Sequence, residues 1–216
     1  GNVILTIATF LLGIFAGFLT PMLLGVHASG FIALMGYLLI LDLGILTISI
    51  FKKWQKLNFI GFLGTTFHVL AWSGTYYTSE YFLPFFSVVT IFFIIYLVAS
   101  LAHHVVRKEP STGQDLLLIN ANALGYFAIG YVLLHEEVSA SVGFFAVVLA
   151  VVYFVVAYLG KWAQPDDRKL NIFLPGIAVF FLTLAVPLQF SGFWVTLAWF
   201  AEALLIYTGA FMTRQG

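Results

Sequence analysis

Stretches of about 20 consecutive apolar residues recur along the chain, separated by polar interruptions only a few residues long. A bilayer-spanning helix needs a stretch of that length, and only helices or closed barrels satisfy every backbone group within the hydrocarbon. The pattern predicts about eight spanning helices. They lie approximately at Val3–Leu24, Phe31–Phe51, Leu57–Tyr77, Phe82–Val106, Leu116–His135, Ser139–Trp162, Leu170–Phe190 and Phe193–Met212. The interruptions read GVHASG, KKWQK, TSEY, RKEPSTGQD, EEV, AQPDDRK and SG. A membrane barrel requires alternating polar and apolar residues, which runs such as VVTIFFIIYLVA exclude. No linker or shift of composition divides the chain. The expectation is an all-α polytopic integral membrane protein, with residues 1–216 forming a single helical transmembrane domain.

Composition points the same way. Hydrophobic residues make up 62% and charged residues 8% of the 216 residues, and the mean hydropathy is +1.06. A soluble domain is about half apolar and a quarter charged, so this chain lacks the polar residues to cover a water-facing surface. The net charge is zero; without a basic surface a nucleic-acid partner is not expected. Cysteine is absent, which removes disulfides, thiolate nucleophiles and cysteine-ligated metals.

The few charges add an orientation. Lys52, Lys53 and Lys56 lie between the second and third predicted helices, and Arg107 and Lys108 between the fourth and fifth. Lys161, Arg168 and Lys169 flank the connection between the sixth and seventh, and Arg214 follows the eighth. Those nine are the full complement of Lys and Arg. The odd-numbered connections carry only Glu80, Glu136 and Glu137. By the positive-inside rule both termini and the even connections are cytoplasmic. Lys52, Lys53 and Lys56 are then placed to contact anionic lipid headgroups, at about 1 kcal/mol per residue. Trp54, Trp72, Trp162, Tyr76, Tyr77 and Tyr81 sit at predicted span ends, where aromatic side chains anchor helices at the interface.

Three stretches taken together carry a resemblance. They are GIFAGFLTPMLLG followed by GYLLILDLGILTI and the basic turn with Trp54; LINANALGYFAIGY; and AVPLQFSGFWVTLAWFAEALLIYTG. In the last, Pro187, Leu188, Gly192, Trp194, Val195, Thr196, Ala198, Trp199, Glu202 and Ala203 are the most specific. The ordered set resembles the bacterial family of multi-pass membrane proteins known as domain of unknown function 2339, over essentially the whole chain. The resemblance implies a helical protein of the bacterial inner membrane and a portion of a longer member. It implies no activity.

Ionisable residues inside a span are costly and therefore informative. Asp42, His68 and Glu202 each fall about midway through a predicted helix, the second, third and eighth. Convergent, they form a candidate proton or ion site, with the carboxylates as acceptors and the imidazole as a switchable partner. No Lys or Arg lies mid-span to neutralise the acids. The plainer reading makes them packing glue, hydrogen-bonding across helices for about 0.6 kcal/mol each. On the third helix Gly61, Gly64, Thr65, His68, Trp72 and Thr75 share a stripe that is expected to face protein. On the fourth, Tyr96, Ser100, His103 and Arg107 form a polar stripe descending to the cytoplasmic side: a wetted helix end or a cytoplasmic entrance. Asn120 and Asn122 point about 200° apart and cannot serve one site, so interhelical hydrogen bonding is expected of at least one. Pro21, Pro175 and Pro187 mark candidate helix breaks of the kind that line transporter cavities. Gly13 and Gly17 form a GxxxG, a close-packing signal.

Candidate enzymatic chemistry is thin. No mid-span lysine offers a Schiff base; His68 alone is central, His27 and His135 lie near the outer face, the adjacent His103 and His104 near the cytoplasmic face point in different directions and make poor axial co-ligands, and HEE at His135 lacks the second histidine of a zinc motif. GxSxG and P-loop motifs are absent. No catalytic residue, metal ligand or cofactor is therefore assigned. The leading reading is a non-enzymatic membrane component or scaffold, with other membrane subunits or further copies of itself as partners. A proton- or ion-coupled transporter or channel using Asp42 and Glu202 comes second, an intramembrane enzyme third.

Overall fold

The computed structural model describes residues 3–23, 30–52, 55–107, 110–138, 141–190, 196, 199–203 and 207. Seven helices are described in full: α1 (Val3–Leu23), α2 (Phe31–Lys52), α3 (Gln55–Tyr76), α4 (Phe82–Arg107), α5 (Gly113–Glu137), α6 (Val142–Ala163) and α7 (Arg168–Gln189). A 3-10 turn at Ser79–Tyr81 leads into α4. Residues 196, 199–203 and 207, within the eighth expected span, are also helical. No strand occurs among the described residues.

Within the described residues, five segments are long and apolar enough to cross a membrane: Phe31–Ser49, Ser79–Leu101, Gly113–Glu137, Val142–Ala163 and Arg168–Gln189. The third helix matches them in length but carries Asn58, Thr65, Thr66, His68, Ser73 and Thr75, which dilute its apolar character.

Helix limits follow local chemistry. Expected to start at Leu116, α5 begins three residues earlier because Thr112 and Asp115 form a reciprocal cap: the Thr112 amide donates to Asp115 Oδ2 at 2.9 Å and the Asp115 amide to Thr112 Oγ1 at 3.4 Å. Expected to start at Leu170, α7 begins at Arg168, where the Asp167 side chain accepts from the Leu170 amide at 3.1 Å. Pro21 lies inside α1, and Pro175 and Pro187 inside α7. Each helix runs on past its prolines. A proline removes only its own N–H, and neighbouring groups can repair that loss.

The chain gathers into two compact units, Gly1–Tyr126 and Phe127–Gly216. In the first, α2, α3 and α4 pack together and α1 lies on α2 and α3. Gly17 admits Leu41 and the Tyr37 hydroxyl, which donates to the Gly17 carbonyl at 2.8 Å. Gly64 sits against the Phe18 ring so closely that an added Cβ meets it at 2.7 Å. In the second unit α6 and α7 are laid face to face, with Gly143 against Gln189 and Gly160 against Leu174. Small residues let two backbones approach where lipid gives no hydrophobic drive to associate. Tyr153 and Phe181 fill the centre of that contact with ring centroids 6.0 Å apart.

Burial runs opposite to that of a water-soluble fold. Ile32 is 85% exposed and Ile40 75%, whereas Asp42 on the same helix is 2% exposed. Ser49, Asn58, Thr65, His68, Ser100 and Asn122 are also buried. Apolar side chains outside and polar ones inside suit a lipid solvent.

Candidate functional site

Asp42 is a buried carboxylate whose partners lie on two other helices. Its position midway along α2 places it on the face turned to α3 and α4. Tyr96, from α4, donates its hydroxyl to Asp42 Oδ1 at 2.6 Å. Thr65, from α3, lies 2.9 Å from Oδ1 and 2.8 Å from Oδ2, its single proton shared between them. The two hydroxyls are themselves 3.3 Å apart. Gly61 makes the approach feasible: a Cβ there meets Ile45 of α2 and the Tyr96 hydroxyl at 3.1 Å each. Three helices are thus tied at one point by a carboxylate and two neutral donors.

His68 lies one turn further along α3, buried, with Nδ1 2.9 Å from the Gly64 carbonyl of its own helix. A carbonyl only accepts, so Nδ1 carries the proton and Nε2 is left with no hydrogen-bond partner. The Phe18 and Phe67 rings flank it with centroids at 5.8 and 5.6 Å. No hydrogen bond joins His68 to Asp42. Glu202 accepts from Thr183 of α7 within the second unit, beside Trp199, whose indole N–H lies 3.4 Å from the Thr183 carbonyl.

The α3 stripe is buried at Gly61, Thr65, His68 and Trp72, half-buried at Gly64 and exposed at Thr75. Trp72 packs on Phe31, Tyr81 and Phe85 with centroids at 4.8, 5.3 and 5.6 Å; Trp162, 84% exposed, is placed as an interface anchor. Tyr96 turns to Asp42, and Ser100 donates to the Tyr96 carbonyl at 2.8 Å. Both are buried, so this half of the α4 stripe faces protein. The side chains of His103 and Arg107 lie outside the described residues. Asn122 donates to the Phe93 carbonyl of α4 at 2.9 Å, while Asn120 is half-buried. Lys53 and the side chain of Lys52 lie outside the described residues, and Lys56 is exposed.

In the sequence Asp42, Thr65 and Tyr96 stand out separately, with no motif that joins them. Thr65 sat in a packing stripe and Tyr96 in a supposed cytoplasmic one. The signal was register: in an antiparallel α2–α3 hairpin about the KKWQK turn, positions 42 and 65 fall near one level. Among the described residues no group of three or more His, Cys, Asp or Glu is placed to hold a metal ion.

No curated protein and no solved structure matches the chain. Residues 6–215 match the family described as Predicted membrane protein (DUF2339). With nearly its whole length covered and its apolar helices turned outward, the chain belongs to that family, domain of unknown function 2339.

Proposed function

We propose that this protein is a non-enzymatic component of the bacterial inner membrane, a scaffold of a larger membrane assembly. Its eight spans leave both termini cytoplasmic. The reading rests above all on how Asp42 is held: its oxygens are engaged by Thr65 and Tyr96, an arrangement that fastens α2, α3 and α4. Glu202 has a separate hydroxyl partner in Thr183. The topology is supported by the confinement of Lys and Arg to alternate connections and by helical residues within the eighth expected span. Lys52, Lys53 and Lys56 then meet anionic headgroups at the cytoplasmic face.

A second reading, proton- or ion-coupled transport, draws on one observation: the partners of Asp42 are hydroxyls, with no Lys or Arg elsewhere in the middle of a span. Purified protein in sealed liposomes separates the two. A scaffold gives no proton or cation flux above protein-free vesicles, and Asp42→Asn changes only stability. A flux abolished by Asp42→Asn or Glu202→Gln overturns the scaffold reading.

A further inference from the structure

Below the Asp42 cluster, towards the Lys52–Lys56 turn, the first unit buries polar atoms that its own structure does not satisfy. Asp42 pairs with Thr65, and Gly61 opposes Ile45, so residue numbers across this antiparallel hairpin sum to about 107. Seven residues on from Asp42 is Ser49; seven back from Thr65 is Asn58. They share a level two turns below the carboxylate, about 10 Å at 1.5 Å per residue. Ser49 is 0% and Asn58 3% exposed, yet Ser49 Oγ and Asn58 Oδ1 have no hydrogen-bond partner. Chain direction makes α4 parallel to α2, so Ser100, one turn past Tyr96 and 1% exposed, descends to the same side. Each of the three helices thus gives a small buried polar group to the region between Asp42 and the basic turn.

A buried polar atom without a protein partner bears the full cost of its desolvation. Native proteins avoid that cost by placing a water with two to four polar contacts there. The opposite side of the cluster leaves one buried atom, His68 Nε2, one turn from the carboxylate, without a partner. Beyond His68 the interior is closed by aromatic packing of Phe31, Trp72, Tyr81 and Phe85.

We propose that the α2–α3–α4 bundle holds an internal water site bounded by Ser49, Asn58 and Ser100, connecting Asp42 with the Lys52–Lys56 end of the bundle and not with the other. The bound ligand is water, and the consequence is one-sided proton exchange at Asp42. The hydroxyls of Thr65 and Tyr96 face the carboxylate from α3 and α4, and His68 is the next titratable group along α3. The site goes beyond the scaffold reading and is compatible with either function.

Water-edited solid-state NMR of the full chain in lipid bilayers tests it. In the wild type, the Asp42 and Asn58 side-chain carbons receive water polarisation at least about threefold faster than the ring carbons of Trp72 and Phe85, as contact with an internal water requires. Combined Ser49→Ala and Asn58→Leu slows Asp42 to the Phe85 rate, and Trp72→Leu leaves it unchanged. Slow build-up at Asp42 and Asn58 in the wild type overturns the proposal without any variant. Insensitivity of Asp42 to the double variant, or acceleration by Trp72→Leu, overturns the one-sided path.

Discussion

The two units solve one problem by different chemistry. In the second, α6 and α7 lie face to face around Tyr153 and Phe181, with Gly143 close against the Gln189 backbone, and cohesion comes from close backbone approach. In the first, α2, α3 and α4 meet around a carboxylate, two hydroxyls and a set of buried amide and hydroxyl groups. Lipid tails are as apolar as leucine, so apolar contact alone discriminates poorly between alternative helix pairings. Small-residue packing specifies a pair by shape. A buried acid specifies it by requiring donors at one register, because a mispaired Asp42 would be left without them.

The largest effect is expected where shape alone holds. Phe181→Ala should leave a cavity between α6, α7 and Phe127. With no transfer to water to lose, the cost should sit at the lower end of the ~3–5 kcal/mol typical of such truncations, read from reversible unfolding in mixed micelles. Asp42→Leu should follow at about 2 kcal/mol, since it strips the Thr65 and Tyr96 hydroxyls of their acceptor. Asp42→Asn keeps an acceptor and should cost under about 1 kcal/mol. An equal loss from both variants would erase the contrast between the units.

Gly64→Ala forces the Phe18 ring aside and should cost about 1–3 kcal/mol by overpacking. Gly36→Ala, with nothing within 4 Å, should cost nothing and serves as its control. Among the destabilising changes the smallest loss belongs to Asn122→Ala, which removes one bond to the Phe93 carbonyl. About 0.6 kcal/mol is the average for such bonds between membrane helices.

The helices were legible because apolar runs of spanning length need no tertiary information. All seven fully described helices fall where the hydropathy pattern put them, and the starts of α5 and α7 moved only by their caps, Thr112 with Asp115 and Asp167. The candidate site was legible residue by residue and not as a whole. Asp42 stood out because a charge in a span is rare, but its partners are a threonine and a tyrosine, types that occur in spans for many reasons. Depth alone grouped Asp42 with His68. The side-chain directions of α3 instead turn Thr65 to Asp42 and give the His68 Nδ1 to its own helix. Trp72 shows the same limit: its place near a span end suggested an interface anchor, while its helix face put it inside an aromatic cluster.

The account stands on the bond between Asp42 and Tyr96 as a tie between α2 and α4. A double-mutant cycle of Asp42→Leu and Tyr96→Phe, read by unfolding free energy in bilayer-mimetic micelles, tests it most directly. A coupling of about 1 kcal/mol, with the second change nearly free once the first is made, is the predicted result. Strict additivity of the two losses would contradict it.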